Sequence, residues 1–217
     1  MRAGVDGAVT RRRAAAVGYW AVAVLLVTNV AVVYGWLDPV PPADVVDVPG
    51  PGPSPSPTPV DVTLADGAVV TFPSEPIESN QVLRIAGSDA LLRLHTAQGA
   101  DGTTYNLGEI DYPPQVNLTD PATNLIASVS GAAGNVSGRV VEQDVTTYQG
   151  APAVEFVIEA ADVRLRARHV LDGRRLYAQN VAYRGEEEPD DADSFFASLR
   201  LPAAASPSPA PSPAASP

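Results

Sequence analysis

Cysteine is absent from all 217 residues. That excludes disulfides, thiolate metal sites, thiol nucleophiles and any lipid attached through a cysteine. A domain of this chain displayed outside the cytoplasm must therefore be held by its core unaided. Lysine is also absent, and all 14 basic residues are arginine. Only two histidines occur, His95 and His169. Phosphate-binding and catalytic signatures are missing too: there is no G-x-x-x-x-G-K-[ST], G-x-G-x-x-G, G-x-S-x-G or H-E-x-x-H. No cofactor is expected.

What is present divides the chain into five parts. Residues 1–13 carry four arginines against Asp6. Residues 14–37 follow without a charge, 24 in a row. A bilayer core needs about 20 apolar residues in a helix, whereas the apolar part of a cleaved export signal runs to about 7–15. Arg2, Arg11, Arg12 and Arg13 precede the run, and Asp38, Asp44 and Asp47 follow it. The positive-inside rule then predicts a cytoplasmic tail (1–13), a transmembrane helix (14–37) and everything later outside the membrane. Tyr19, Trp20, Tyr34 and Trp36 sit near the two ends, as interfacial aromatics do. A cleavage site near Val33–Gly35 is the rival reading.

Residues 38–59 are dense in proline, which forbids helix and favours extended polyproline II. At about 3.1 Å per residue, such a spacer would lift a domain roughly 60 Å off the bilayer. Residues 202–217 are a Pro/Ala/Ser tail of the same low-complexity kind, expected to be disordered. Residues 60–201 suit one domain of ordinary size. They hold 21 acidic residues and ten arginines. An acidic domain with no basic stripe argues against nucleic acid. Arginine-only basicity with abundant Ala, Pro, Gly and Val is the composition of a high-GC bacterial genome, and the sequons at Asn117 and Asn135 then read as chance matches.

Three Asp-Gly pairs, at Asp66, Asp101 and Asp172, mark hairpins between alternating runs. In "VRLRARHVLDGRRLYAQNVAY", Val163, Leu165, Ala167, His169 and Leu171 share one face, and Arg164, Arg166 and Arg168 share the other. A two-residue turn at Ala161-Asp162 predicts Glu159 opposite Arg164, Glu155 opposite Arg168, Phe156 opposite Ala167 and Ile158 opposite Leu165. A turn centred on Asp172-Gly173 predicts Arg168 opposite Tyr177 and Arg166 opposite Gln179. Two helices are expected. One is capped at Asp120, with a stripe of Ala122, Leu125, Ile126 and Val129 and an end at Gly131 or Gly134. The other begins in "DDADS", with a stripe of Ala192, Phe195, Phe196 and Leu199. The class is α+β: a mostly antiparallel sheet flanked by helices.

Five phrases, in order and spacing, carry a family likeness: "VTFPSEP" (70–76), "YNLGEIDYP" (105–113), "YQGAPAVEF" (148–156), "RARHVLDGRRLYAQNV" (166–181) and "FFASLRL" (195–201). Together the chain resembles the PsbP-like α/β/α sandwich of bacterial envelope proteins. Ala153 departs from the family phrase, which has glycine there. The resemblance implies a binding or assembly module without catalytic residues.

The expected function is that of a single-pass, membrane-anchored envelope protein displaying such a domain, with an envelope protein or ligand as partner. One alternative is an exported hydrolase or metal-dependent enzyme using His95 or His169; another is a structural spacer. The arginine row Arg164, Arg166 and Arg168, with Tyr177 beside it, is the candidate anion or ligand contact. The row is expected on the helix-free or less covered face of the sheet. Cross-strand pairing with Glu155 and Glu159 is its structural account. The acidic run 186–194 lacks the spacing of a calcium loop.

Overall fold

A computed structural model describes residues 58–99 and 101–202. The tail 1–13, the span 14–37, nearly all of the spacer and the C-terminal tail lie outside the described residues. Among the described residues no helix is long and apolar enough to cross a membrane.

The order is β1 (Val60–Thr63), β2 (Val69–Phe72), β3 (Ile77–Ile85), β4 (Ser88–Gln98), β5 (Thr104–Asp111), α1 (Pro121–Asn135), β6 (Arg139–Tyr148), β7 (Ala151–Ala160), β8 (Val163–Asp172), β9 (Arg175–Tyr183) and α2 (Ala192–Ser198). β1 and β2 form a small hairpin. The other seven strands form one sheet in the order β3-β4-β5-β9-β8-β7-β6, and every neighbouring pair is antiparallel. The α+β class is therefore observed.

Period-two alternation gives the sheet two buried faces. On one, α1 covers Phe156, Ile158, Leu165 and Ala167 with Leu125, Val129 and Ala132. On the other, the β1–β2 hairpin and α2 bury Val70, Phe72, Tyr105, Val181, Phe195 and Phe196. Strand β9 lies mid-sheet and is buried along nearly all its length, because both faces above and below it are covered.

The three Asp-Gly pairs all fall in hairpins, with Gly67, Gly102 and Gly173 at positive φ. The β7–β8 register matches expectation at Glu155–Arg168, Phe156–Ala167, Ile158–Leu165 and Glu159–Arg164. The β8–β9 register does not. Arg168 opposes Gln179 and Arg166 opposes Val181, a shift of two residues that keeps every side chain on its face. The turn is centred on Gly173-Arg174, not Asp172-Gly173: Asp172 and Arg175 close it, and Gly173 (φ 58) takes the first central position. That is the glycine placement of a type II′ turn. Arg174, freed at the tip, donates to the carbonyls of Tyr112 (2.9 Å) and Val116 (3.0 Å), pinning the loop before α1.

Asp120 caps α1 by accepting from the Thr123 N–H, with Pro121 at the helix start. The helix passes both Gly131 and Gly134, contrary to expectation, and ends in a Schellman arrangement. The Gly138 N–H bonds the Ala133 carbonyl (2.9 Å), and the Ser137 N–H bonds that of Gly134 (3.2 Å). Ser137 occupies the left-handed position (φ 51) where glycine is usual. Ile126, expected in the buried stripe, is exposed, and Ser128 takes a buried place instead. The α2 stripe Ala192, Phe195, Phe196 and Leu199 is buried throughout, as expected.

Candidate functional site

On the α2 face of the sheet, charged side chains form two clusters. The first is the arginine row. Arg164 pairs with Glu159 (2.6 Å), which Arg139 also reaches (2.9 Å). Arg166 bonds Glu188 and Asp193, the latter at 2.7 Å, and its guanidinium lies over the Phe196 ring at 4.7 Å. Arg168 bonds Glu155 through Nε (2.7 Å) and Nη2 (2.6 Å). Its Nη1 donates to the Phe196 carbonyl (2.8 Å), and the group stacks on Tyr148 at 4.4 Å. The row thus carries α2 and the acidic run before it; it is not on a less covered face. Alternation along β8 made the row legible, but nothing local announced that a later helix would land on it. Burial lowers the Arg166 pKa, and bonds to Glu188 and Asp193 outweigh this and raise it. Tyr177 is absent from this cluster, because the two-residue register shift puts Gln179 opposite Arg168.

Tyr177 belongs to the second cluster, which latches the β1–β2 hairpin to the sheet. Its hydroxyl donates to Asp66 in the hairpin turn. Arg175 grips Asp111 with two bonds (2.7 and 2.6 Å) and approaches Asp66 at 2.8 Å. Behind them lies Glu109, 1% exposed, with Arg93 at 3.8 Å, Arg175 at 3.9 Å and His95 Nε2 at 4.0 Å. Burial raises the Asp66 pKa; the Tyr177 hydroxyl, the Ala68 N–H and Arg175 outweigh it, and the net shift is downward. Burial and the bond to Asp66 raise that of Tyr177. No three acidic or histidine side chains among the described residues converge as a metal site. Glu109 sits on a strand of mixed polarity, "TYNLGEID". Its burial follows from the hairpin folding over β5, a contact across distant sequence that local pattern does not encode.

His169 stands apart, on the α1 face. Its Nδ1 lies 2.7 Å from Ser128 Oγ, whose hydroxyl donates to the Leu125 carbonyl (2.7 Å). Its ring meets Phe156 edge-on at 4.9 Å. Burial pushes its pKa down to about 4, against an opposing upward pull from Asn180. The serine and histidine touch as a nucleophile–base pair would, but His169 is 1% exposed and Ser128 is 8% exposed. The pair bolts helix to sheet.

One open cleft of about 550 Å³ lies beside the acidic run, lined by Asp101, Thr103, Tyr183, Glu187, Glu188 and Asp190 among others. Below it the Tyr105 hydroxyl bonds Asp191. Asp191 precedes α2 yet makes no side-chain cap bond to it, because its carboxylate is engaged by Tyr105.

Compared with protein-family profiles and with curated proteins, the chain matches none. Among solved structures it is similar to the solution structure of cyanobacterial PsbP (CyanoP) from Synechocystis sp. PCC 6803, at 12% identity and a TM-score of 0.44. The match covers 70% of this chain and 96% of that one.

Proposed function

We propose that this chain is a single-pass envelope protein that holds a non-enzymatic assembly domain outside the membrane. The anchor reading rests on the order of segments: an arginine flank, 24 uncharged residues, a proline-rich spacer, then the domain. The assembly reading rests on one structural observation. Strand β3 is paired along one side only, is nine residues long and is exposed at its first six residues. Meanwhile the domain's arginine row is spent on its own β7 glutamates, acidic run and α2. Helices on opposite faces of the sheet, together with the order of the five sequence phrases, support a PsbP-like sandwich as the framework.

The anchor is tested by washing membranes with alkaline carbonate and shaving intact cells with protease. The protein stays with the membrane, and the 60–201 domain is lost on shaving. A mature N-terminus near Trp36, or release by carbonate, contradicts it.

A further inference from the structure

Strand β3 and strand β6 are the two edges of the seven-stranded sheet. An open edge is a row of unpaired backbone groups, and proteins usually blunt it with lysine, proline or a bulge. β6 follows that rule: its register is broken between Val140 and Glu142, and its outer part is charged and exposed. β3 does not. It pairs with β4 without interruption over nine residues and contains no proline. It also carries Ile77 at 76% and Val82 at 65% exposure, with Leu91 of β4 beside Val82 at 40%.

We propose that β3 is the seam of a homodimer, in which two copies join antiparallel about a two-fold axis at Gln81. The inference rests on the assembly reading above and names its partner as a second copy. An axis perpendicular to the sheet keeps each face on its own side, so even-numbered residues meet even and odd meet odd. Centring on Gln81 places Glu78 opposite the other copy's Arg84, twice. Glu78 has no ion-pair partner among the described residues, and Arg84 holds only the solvent-exposed Asp89 at 3.3 Å. Between these ion pairs, Val82 of each copy lies diagonal to its twin, backed by Leu91. On the opposite face the same register lays Ile77 beside the other copy's Ile85, which is already buried in the core. Moving the centre to Asn80 puts Arg84 against Pro76 and Glu78 against Val82; moving it to Val82 puts Glu78 against Ala86. Of these three centres only Gln81 joins the charges. Tethering both copies to one membrane raises their effective concentration, so a strand-sized contact suffices.

The chain's lack of cysteine permits a clean test in native membranes with the full-length protein. A Gln81→Cys variant under mild oxidation should form a covalent dimer of twice the chain mass. Thr146→Cys, on the β6 edge, should not. In the Gln81→Cys background, Glu78→Arg or Arg84→Glu should each lower the dimer yield roughly threefold or more, and both together should restore it. A monomer-only band, a crosslink to a protein of another mass, equal yield from Thr146→Cys, or failure of the double swap to restore yield overturns the proposal. Release of the chain into the soluble fraction instead contradicts the anchor, and is read in a separate lane.

Discussion

The Arg168 guanidinium donates to the Phe196 carbonyl at 2.8 Å while gripping Glu155 on the neighbouring strand. One side chain thereby joins β8, β7 and α2. Its side chain is 13% exposed against 43% for Glu155, so the two partners are not equivalent. Arg168→Ala removes stacking on Tyr148 and Phe196 as well as charged hydrogen bonds, and should cost about 2–4 kcal/mol. Glu155→Ala should cost about 0.2–1 kcal/mol. Urea unfolding of the two variants measures the gap. Equal costs would mean that the arginine works only as a surface ion pair.

His169 makes stability depend on pH in a defined direction. Its pKa falls from an ordinary 6.5 to about 4 on folding, because burial disfavours the imidazolium. Above the ordinary value both states are neutral and nothing changes. As pH drops from 6.5 towards 4, the unfolded chain takes up a proton that the folded one refuses, and stability is lost at up to about 1.4 kcal/mol per pH unit. Carboxylates titrate nearby, so the comparison must be with His169→Gln. Between pH 7 and 4.5 the wild type should lose more melting temperature than the variant. Equal losses would place the ring in water.

The end of α1 offers a paired test. Ser137 holds a left-handed conformation that a side chain disfavours by roughly 1–2 kcal/mol, so Ser137→Gly should raise stability by about 1 kcal/mol. Gly138→Ala should do the opposite. A Cβ there would fall 2.5 Å from Ile158 Cγ2 and 2.8 Å from the Glu159 carbonyl oxygen, and the backbone oxygen cannot move aside. Thermal melts of both variants check the two signs.

Legibility in the sequence followed the range of the interactions. Alternation and turn chemistry act over a few residues, so the β7–β8 register and the α2 stripe could be read directly. The two-residue shift at β8–β9 is not legible from the Asp-Gly pair, because glycine alone holds the positive-φ position and Asp172 closes the turn. The tight turns at Ala86-Gly87 and Gln149-Gly150 escaped because Ala86 and Gln149 adopt positive φ without being turn-type residues. The latch between Asp66 and Tyr177 joins residues more than a hundred positions apart. No local period carries that information; the β8–β9 shift separates Tyr177 from Arg168, and the latch gives it Asp66 instead.

Single cysteines in an otherwise cysteine-free chain test most directly whether an uncleaved N-terminal span holds the domain outside a membrane. Gly7→Cys lies before the span, and Asp144→Cys lies on the exposed outer part of β6. Intact cells treated with a membrane-impermeant maleimide should label Asp144→Cys at once, and Gly7→Cys only after permeabilisation, with both positions retained on one chain. Labelling of Gly7→Cys in intact cells, or its loss from the mature protein, would contradict the account.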